Sequence, residues 1–599
     1  MLNLFISTSV FLSILVLLFV PEQIYAKDFF VSTEAIYTIG DPDSTNVLYK
    51  IAITNAKTEL HAESFELRLV DVYPNNVVAQ ENGKNIPVKL VREDDTSLIS
   101  VSFTESIVGE GKTRDFEISF TDPTLTKREG SLMEVSVPRL DNPEDFESYT
   151  VKLASPEVLG NAAFINPAPN TQVLRNGYYY YYFTQAQLVD SGVTAAFGNF
   201  QVYDFHLKYH LENPLQQSSS VTIALPPDTT YQTVYYKQIE PRPTEIVLDE
   251  DLNWLARYSL TARQKIDVLA EGSVQVFADP QHPESLDNWQ TYLSPLEYWQ
   301  ADNPGIMDIA RRHSTPESIY KYVVQTLSYS KQNVLPNAKR LGAVGALVSP
   351  NSAICMEFTD LFIAIARAAG IPAREVNGYA YSDNPDLEPL SLVSDVLHSW
   401  PEYWDETRKM WVQVDPTWGD TSGTDYFNKL DMRHVTFVKH GVSSKEPYPP
   451  GSYKLGAFPQ KDVYVEPSSL PLDRDESYKI VFSPVSYLPF HSIEQKVEIF
   501  NTSSSAVYDV SVNVNYEDKH VYTHKLHIIP PFSSSEITLK LPIGFLGNSI
   551  PASVTVGVGE RSETVDLNKQ NYVITMVVIA LVPIVAASLA VALVLKRRK

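Results

Sequence analysis

The chain has 599 residues, of which 44% are hydrophobic and 11% are aromatic, so it is long enough for several domains and too apolar for a disordered protein. Its 72 acidic residues outnumber its 48 basic ones, which gives a net charge of −24. A chain this acidic is a poor candidate for binding nucleic acid or anionic lipid surfaces, and we expect no nucleic-acid partner.

Residues 1–26 have the pattern of a secretory signal peptide. An apolar run from Phe11 to Val20 is followed by Pro21, and Ala26 supplies a small residue at the expected cleavage point. No Lys or Arg precedes the apolar run, so an uncleaved anchor is the alternative. Both interpretations predict export of the chain.

Two β-rich domains are predicted between the signal peptide and the middle of the chain. In residues 27–156 apolar and polar residues alternate, as around Phe116, Ile118 and Phe120, and turn-forming residues separate the runs. This pattern predicts a β-sandwich of the immunoglobulin-like type. Residues 157–285 alternate in the same way and are predicted to form a second β-rich domain.

The single cysteine of the chain, Cys355, lies near the start of a helix predicted for residues 353–369. Asn351 and Ser352 are residue types that cap helix N-termini, and Gly370 marks the end of the helix. The unpaired N–H groups and the positive dipole end of a helix favour thiolate over thiol, so the position suits a nucleophile. The alternative is that Cys355 is a small buried hydrophobic residue at the head of the apolar stripe of the helix.

Two strands are predicted downstream, at residues 398–404 and 411–417, and a short polar segment joins them as a hairpin. Because side chains alternate along a strand, His398 and Asp415 are expected to lie on adjacent strands and to face the same way. With Cys355 they would form a catalytic set. In such a set the thiolate attacks, the imidazole transfers the proton, and the carboxylate orients the ring and stabilises its charged form.

At these residues the chain resembles the transglutaminase-like superfamily of papain-type thiol enzymes, and in particular a microbial surface member of it. Four segments carry the resemblance, in family order: the helix of Cys355, the segment 367–374 with the strand 375–381 after it, His-x-Trp-x-Glu from His398, and Val-Asp-Pro-Thr from Val414. The resemblance implies an α+β core, predicted for residues 286–445. It also implies that Cys355 is the nucleophile, His398 the general base and acid, and Asp415 the orienting carboxylate.

The resemblance leaves the oxyanion hole and the acyl acceptor open. Animal crosslinking members carry Gln-Cys-Trp at the nucleophile, whereas this chain has Ile354-Cys355-Met356. We therefore consider Asn351 a candidate donor to the oxyanion, beside the backbone N–H of Cys355. Trp400 and Trp418 are candidate residues of the substrate pocket.

No metal or other cofactor is expected, because the sequence has no cluster of Cys and His with zinc-ligand spacing. Calcium is the alternative. Hard oxygen ligands cluster in the acidic segment 383–388, just before His398, although a solvated loop explains this segment as well.

The C-terminal part is predicted to contain a linker (446–476), a last, immunoglobulin-like β-sandwich (477–567) and a transmembrane helix (572–595). The uncharged run of the helix is long enough to span a bilayer, and the tail 596–599 is wholly basic. The positive-inside rule then places this tail in the cytoplasm and the large N-terminal part outside the cell.

The sequence thus predicts a multidomain surface protein in which β-sandwich domains flank a thiol-enzyme core. The predicted activity is formation of a thioester at Cys355 from a protein or peptide amide, with transfer of the acyl group to water or to an amine. The alternative is a surface adhesion or envelope-organising protein that uses the core as a binding scaffold without catalysis.

Overall fold

The computed structural model describes residues 27–40, 44–189, 192–281, 284, 286, 288–334, 339–382, 395, 397–455, 461–468, 476–485, 493–517, 519–543 and 549–596. Three predictions concern segments outside these residues. They are the signal peptide (1–26), the acidic segment (383–388) and the last three residues of the basic tail.

The N-terminal unit consists almost wholly of strands. They are β1 (Phe29–Gly40), β2 (Ser44–Asn55), β3 (Ser64–Val70), β4 (Asn75–Glu81), β5 (Lys84–Ile86), β6 (Val88–Glu93), β7 (Thr96–Ser102), β8 (Thr113–Asp122), β9 (Thr126–Glu129), β10 (Leu132–Val137), β11 (Ser148–Pro156), β12 (Ala162–Asn166), β13 (Thr171–Arg175), β14 (Tyr178–Thr184), the short helix α1 (Gln185–Leu188) and β15 (Val193–Phe197). They form sheets of eight (β13-β14-β11-β1-β2-β8-β4-β5), three (β3-β7-β6) and four strands (β12-β15-β10-β9). Val101, Ile118 and Val135, one from each sheet, are fully buried in a common core.

The N-terminal unit extends beyond the predicted boundary at residue 156. Strand β14 pairs with β11, with Tyr182 opposite Lys152, and β15 pairs with β10. The division predicted between residues 156 and 157 therefore cuts through one sheet, and the unit continues to Phe197. Alternation along the sequence marks each strand, but it does not indicate the strand with which that strand pairs.

A second β-rich unit follows. Its strands are β16 (Phe200–Glu212), β17 (Ser219–Leu225), β18 (Gln232–Glu240), β19 (Glu245–Leu248), β20 (Trp254–Leu260) and β21 (Lys265–Phe277). Strand β21 lies between β16 and β18, whereas β17, β20 and β19 form a separate sheet. The apolar residues of β16 face the core between the sheets, where Phe205, Leu207 and Tyr209 are at most 1% exposed.

The central unit combines helices with one antiparallel sheet. Its elements are α2 (Pro304–Arg312), α3 (Pro316–Thr326), α4 (Gly342–Val348), α5 (Cys355–Ala368), β22 (Ala373–Ala380), β23 (His398–Asp405), β24 (Met410–Gln413), α6 (Pro416–Ser422) and β25 (His434–His440). The sheet has the order β24-β23-β22-β25. Helix α5 is the centre of this unit: Phe358, Leu361, Phe362 and Ile365 recur at helical spacing and are fully buried. The helix thus brings its first residue, Cys355, to the sheet.

The chain then returns to the second unit before it reaches the C-terminal one. Strand β26 (Val463–Ser468) pairs with β16, with Val465 opposite Phe205. The predicted linker 446–476 therefore contains a strand of the second unit. This connection was not predicted because a six-residue strand at the edge of a distant sheet has no partner nearby in the sequence.

The C-terminal unit has two sheets, β27-β28-β31 and β30-β29-β32-β33. Its strands are β27 (Tyr478–Phe482), β28 (Ile493–Asn501), β29 (Val507–Tyr516), β30 (Lys519–Ile529), β31 (Ser534–Leu541), β32 (Ser553–Val558) and β33 (Arg561–Asp566). Val510, Val512 and Val514 are buried between the sheets, as their alternation predicts. Helix α7 (Lys569–Lys596) follows, and its stretch Lys569–Ala590 is long and apolar enough to cross a membrane.

Candidate active site

The helix that carries Cys355 starts later than predicted and is capped by a different residue. Residues Pro350–Ser352 form a 3-10 turn, and α5 begins at Cys355. The buried carboxylate of Glu357 accepts hydrogen bonds from the backbone N–H groups of Ile354, at 3.0 Å, and Leu341, at 2.9 Å. Glu357, rather than Asn351 or Ser352, therefore fixes the start of the helix. Cys355 lies in the first turn, among the N–H groups that have no partner within the helix.

Asp415 is the N-cap of a helix rather than part of a strand. Strand β24 ends at Gln413, and Oδ1 of Asp415 accepts from the N–H groups of Thr417, at 2.8 Å, and Trp418, at 3.1 Å. The predicted strand 411–417 is thus shorter than expected, because Pro416 starts α6. The N-cap bonds hold one carboxylate oxygen and leave Oδ2 free to meet other side chains.

The structure brings the three predicted catalytic residues together. Nε2 of His398, at the start of β23, lies 2.8 Å from Oδ2 of Asp415. The Cys355 side chain lies on the other side of the same imidazole and helps to raise its pKa. Because Nε2 is engaged by Asp415, Nδ1 is the ring nitrogen that remains for the thiol. Cys355 is 7% exposed, His398 3% and Asp415 not at all.

The surroundings favour the charged form of His398. Burial alone lowers the pKa of this imidazole, but the Asp415 carboxylate and the Cys355 side chain more than offset burial and raise it to about 9. Burial likewise raises the pKa of Asp415, and the two imidazoles that it contacts bring it well below its usual range. The geometry therefore favours an imidazolium between the Asp415 carboxylate and the Cys355 sulfur, an arrangement that can activate a thiol.

A second histidine, which sequence reasoning missed, contacts Asp415. Nε2 of His434, at the start of β25, lies 3.2 Å from Oδ2 of Asp415, and its Nδ1 lies 2.8 Å from Oδ1 of Asp431. Burial lowers the pKa of His434, whereas its two carboxylate partners raise it to about 9. The sequence offered one weak signal for the pair of Asp431 and His434: a histidine follows an aspartate by three residues and precedes an apolar run.

The position of His434 depends on a close contact between strands. The pairing of β22 with β25 shifts register between Asn377 and Gly378. A Cβ atom on Gly378 would lie 2.0 Å from the carbonyl oxygen of Val435, so any larger residue would push β25 away. The strand can therefore deliver His434 to Asp415 only because residue 378 is glycine.

The two tryptophans predicted to line a pocket instead pack against the imidazole of His398. The rings of Trp400 and Trp418 stack on His398, with centroids 5.7 and 5.3 Å away and interplanar angles of 26° and 24°. Both side chains are fully buried. They restrict the tilt of the imidazole and keep water from it, and neither offers an open surface to a substrate.

The oxyanion donor stays a prediction, and the structure adds one candidate. Asn351 is exposed on the 3-10 turn before Cys355. Tyr329 forms a parallel bridge with Ala353, two residues before the nucleophile. The pKa of its phenol is raised by burial and then by the charges of Cys355 and Asp415. A neutral phenol at this place is a hydrogen-bond donor of the type that an oxyanion requires.

A buried polar network fixes α5 against the sheet. Oε2 of Glu375 on β22 lies 3.1 Å from Arg340 and 2.9 Å from Nδ1 of His440, and Oε1 accepts from the hydroxyl of Ser399 at 2.7 Å. Thr359 of α5 donates to the carbonyl of Ser399, the residue after His398, at 3.0 Å. The network thus joins the helix that carries Cys355 to the strand that carries His398.

The β-rich units hold the loop that leads to His434. Arg433 donates to Glu134 of the N-terminal unit at 3.1 Å, and the N–H of Asp425 donates to Asn166 at 3.3 Å. The hydroxyl of Tyr203, from the second unit, donates to the carbonyl of Met432 at 3.2 Å. These contacts give the flanking units a structural role at the site.

His398, Asp415 and His434 form a hydrogen-bonded chain in which each histidine contacts the same carboxylate oxygen. The participating atoms lie within 4.8 Å of one another, and the two contacts, at 2.8 and 3.2 Å, have the lengths of hydrogen bonds. The three side chains thus form one buried hydrogen-bonded network. The expected absence of a metal cofactor stays a prediction, as does the calcium alternative at residues 383–388.

Comparisons with known proteins agree with the geometry. The family model of the transglutaminase-like superfamily matches residues 309–416, and this part of the chain is a transglutaminase-like domain. A protein-glutamine gamma-glutamyltransferase of Pseudomonas aeruginosa is 24% identical over 175 residues, which cover 28% of this chain and 26% of that protein. An uncharacterised protein of Mycobacterium tuberculosis is 27% identical over 125 residues, which cover 19% of this chain and 40% of that protein. The chain thus spans about a quarter and two fifths of the lengths of these relatives.

Among solved structures, a candidate cysteine protease from Cytophaga hutchinsonii is similar to this chain. It is 16% identical, with a TM-score of 0.32, and the match covers 46% of this chain and 93% of that protein.

Proposed function

We propose that this protein is a cell-surface thiol enzyme that forms a thioester at Cys355 from a protein or peptide amide. The observation that carries the proposal is the buried contact of His398 with Asp415 at 2.8 Å, with the Cys355 side chain next to the same imidazole. A small hydrophobic role for Cys355, the alternative left by the sequence, would not require an imidazole and a carboxylate to be buried beside it.

The first half of the reaction makes the thioester. The sulfur of Cys355 attacks the carbonyl carbon of the amide, and the oxyanion forms near the N–H groups of the first turn of α5. His398 then gives its Nδ1 proton to the leaving nitrogen as the C–N bond breaks, and an amine or ammonia departs. Asp415 keeps the imidazole in the orientation that this transfer requires.

The second half transfers the acyl group and restores the thiol. Neutral His398 takes a proton from the attacking water or amine, the new bond to the carbonyl carbon forms, and the sulfur leaves as a thiolate beside the imidazolium. Water gives hydrolysis, the reaction of a protease or amidase, and an amine gives a crosslink. Hydrolysis is the default, because transamidation needs a site that binds an amine and excludes water.

The name of the Pseudomonas relative suggests one donor to test first, the side-chain amide of glutamine. Proteins and peptides outside the cell are the proposed substrates. The apolar stretch of α7 supports an anchor in the membrane, with the basic tail in the cytoplasm and the large N-terminal part outside. The acidic composition supports an extracellular role as well.

The test compares the full chain in detergent with its Cys355→Ala variant. A glutamine-containing peptide and a fluorescent primary amine report transamidation, released ammonia reports deamidation, and mass spectrometry reports peptide cleavage. We expect at least one of these activities in the unsubstituted chain, with a loss of three or more orders of magnitude in the variant, on the order of what removal of a nucleophile costs. Equal signals from both proteins would contradict the proposal and favour the non-catalytic binding scaffold.

A further inference from the structure

His434 is hydrogen-bonded to a carboxylate at each of its two ring nitrogens. Nδ1 lies 2.8 Å from Asp431, and Nε2 lies 3.2 Å from Asp415. An ionised carboxylate only accepts hydrogen bonds, so both nitrogens of His434 must carry a proton. The contacts alone therefore make His434 an imidazolium.

Nε2 of His398 likewise carries a proton, because it contacts the same carboxylate at 2.8 Å. When His398 is in its charged form, four groups alternate in charge along one chain that ends beside the Cys355 sulfur: the Asp431 carboxylate, the His434 imidazolium, the Asp415 carboxylate and the His398 imidazolium. Oδ1 of Asp415 is already held by the N–H groups of Thr417 and Trp418. Both imidazoliums consequently share one oxygen, Oδ2.

We propose that His434, held as an imidazolium between Asp431 and Asp415, is a positioning residue that takes up part of the Asp415 charge and so keeps His398 able to release its proton. The proposal rests on the proposed function, since only a catalytic imidazole needs to lose its proton in each cycle. A base that binds its proton too tightly does not serve as an acceptor near neutral pH. The ring centroids of the two histidines are 5.7 Å apart, close enough for one charge to act on the other.

The packing around His434 keeps its charge directed at Asp415. The indoles of Trp400 and Trp418 lie against its ring, with centroids 4.9 and 4.6 Å away, and Tyr426 covers a third side at 6.2 Å. The charged or titratable groups around the pair come from several elements: His398 on β23, Asp415 before α6, Asp425 and Asp431 with Arg433 in the loop before β25, Glu134 on β10, and Tyr231, Asp279, Arg408 and Lys429 around the neighbouring cavity.

That cavity borders His434, whose side chain is only 1% exposed. It has a volume of about 320 Å³, lies between the second unit and the central unit, and is bordered by Asp431 and His434. Cys355 is not among the residues that line it. The cavity thus approaches His434 from a side that does not include the nucleophile.

The experiment measures the charge of His398 through the single cysteine of the full chain. Iodoacetate and iodoacetamide both alkylate the thiolate, but only the anionic reagent is attracted by an adjacent imidazolium. The ratio of the two rates, followed from pH 5 to 11, therefore falls as His398 loses its proton, and its midpoint reports the proton affinity of His398.

The unsubstituted chain is compared with His434→Phe, which keeps an aromatic ring among the tryptophans, and with His434→Gln, which keeps a hydrogen-bond donor for Asp415 but carries no charge. We expect both substitutions to move the midpoint to higher pH by about one unit, the size expected for a charge at this distance in a partly screened site. A midpoint that shifts in His434→Phe but not in His434→Gln would show that only the hydrogen bond to Asp415 matters. This result would overturn the role proposed for the charge of His434. No shift for either, or a shift to lower pH, would overturn the proposal altogether.

Two further variants make the result decisive. The double variant Asp431→Asn/His434→Gln removes the Asp431 carboxylate together with the His434 imidazolium, so no carboxylate is left unpaired. It replaces His434→Phe if that variant fails to fold. We expect a smaller upward shift of the midpoint, because a negative charge is removed together with the positive one. His206→Gln removes a histidine paired with Glu271 on the surface of β16, at 3.2 Å, and should leave the midpoint unchanged.

A midpoint that moves upward in a chain without acyl-transfer activity would support the role of His434 and refute only the proposed function. A ratio independent of pH in the unsubstituted chain would refute both.

Discussion

Asp415→Asn is the substitution that isolates the carboxylate charge from its structural role. The surroundings of His398 raise its pKa from 6.5 to about 9, with Asp415 as the largest favourable contributor. At about 1.4 kcal/mol per pKa unit, they stabilise the imidazolium by roughly 3 kcal/mol. Asparagine also caps helices, so its Oδ1 can keep the N–H groups of Thr417 and Trp418, and α6 should stay intact.

The amide that replaces Oδ2 would donate where the carboxylate accepts. Nε2 of His398 would then become an acceptor, its proton would move to Nδ1, and the imidazole would present an N–H to the thiol that it should deprotonate. We expect acyl transfer to fall by about three to four orders of magnitude, as expected for a histidine held in the wrong tautomer. Alkylation by iodoacetamide at pH 6 should fall by at least tenfold.

Activity, alkylation and thermal unfolding would be compared for Asp415→Asn and for Asp308→Asn, which removes an exposed carboxylate on α2. The control should match the unsubstituted chain in all three measurements. An Asp415→Asn protein that keeps its thermal stability and also keeps activity within a few-fold would refute the assignment of Asp415.

Three further outcomes follow from the contacts of the site. The raised pKa values of His398 and His434 contribute stability that is complete below pH 6.5 and is lost as the pH rises through about 9. The melting temperature of the central unit should therefore fall over this range. The fall should be smaller in a His398→Gln/His434→Gln protein. Glu357→Ala leaves the N–H groups of Ile354 and Leu341 without their acceptor. It should lower the free energy of unfolding, measured by denaturant titration, by about 2–4 kcal/mol. An unchanged free energy of unfolding would contradict the capping role of Glu357. EDTA should leave the alkylation rate of Cys355 and any acyl transfer unchanged, and a loss that calcium restores would favour the calcium alternative.

The candidate catalytic residues could be picked out because the chemistry proposed for them depends on residue types within short segments. The helix of Cys355, the start of β23 at His398 and the Val-Asp-Pro-Thr sequence each have a local pattern, and the hairpin of β23 with β24 is short enough to predict. The same local patterns placed Asp415 in a strand, because alternation continues past Gln413, and only the backbone shows that Pro416 starts a helix.

The remaining features depend on contacts between distant parts of the chain. Glu357 caps α5 partly by accepting from Leu341, and His434 reaches Asp415 from the far edge of the sheet through the bulge at Gly378. Sequence periodicity contains no information on such pairs. For the same reason, the pairing of β14 with β11 and of β26 with β16 was missed, and two predicted boundaries moved.

The flanking units gain a role from the structure that composition alone did not suggest. Glu134 and Tyr203 contact the residues just before His434, and Gln232 of β18 accepts from the N–H of Thr436 at 2.8 Å. A change in either β-rich unit can therefore reach the second histidine without touching Cys355.

The most direct test of the central claim is the alkylation rate of Cys355 by iodoacetamide between pH 4 and 10, in the full chain and in its His398→Ala variant. A single cysteine makes the rate specific to this residue. An activated pair predicts fast labelling well below pH ~8.5, where a free thiol ionises, and loss of that labelling when His398 is removed. Slow labelling at every pH, unchanged by the substitution, would show a structural cysteine and contradict the thiol enzyme.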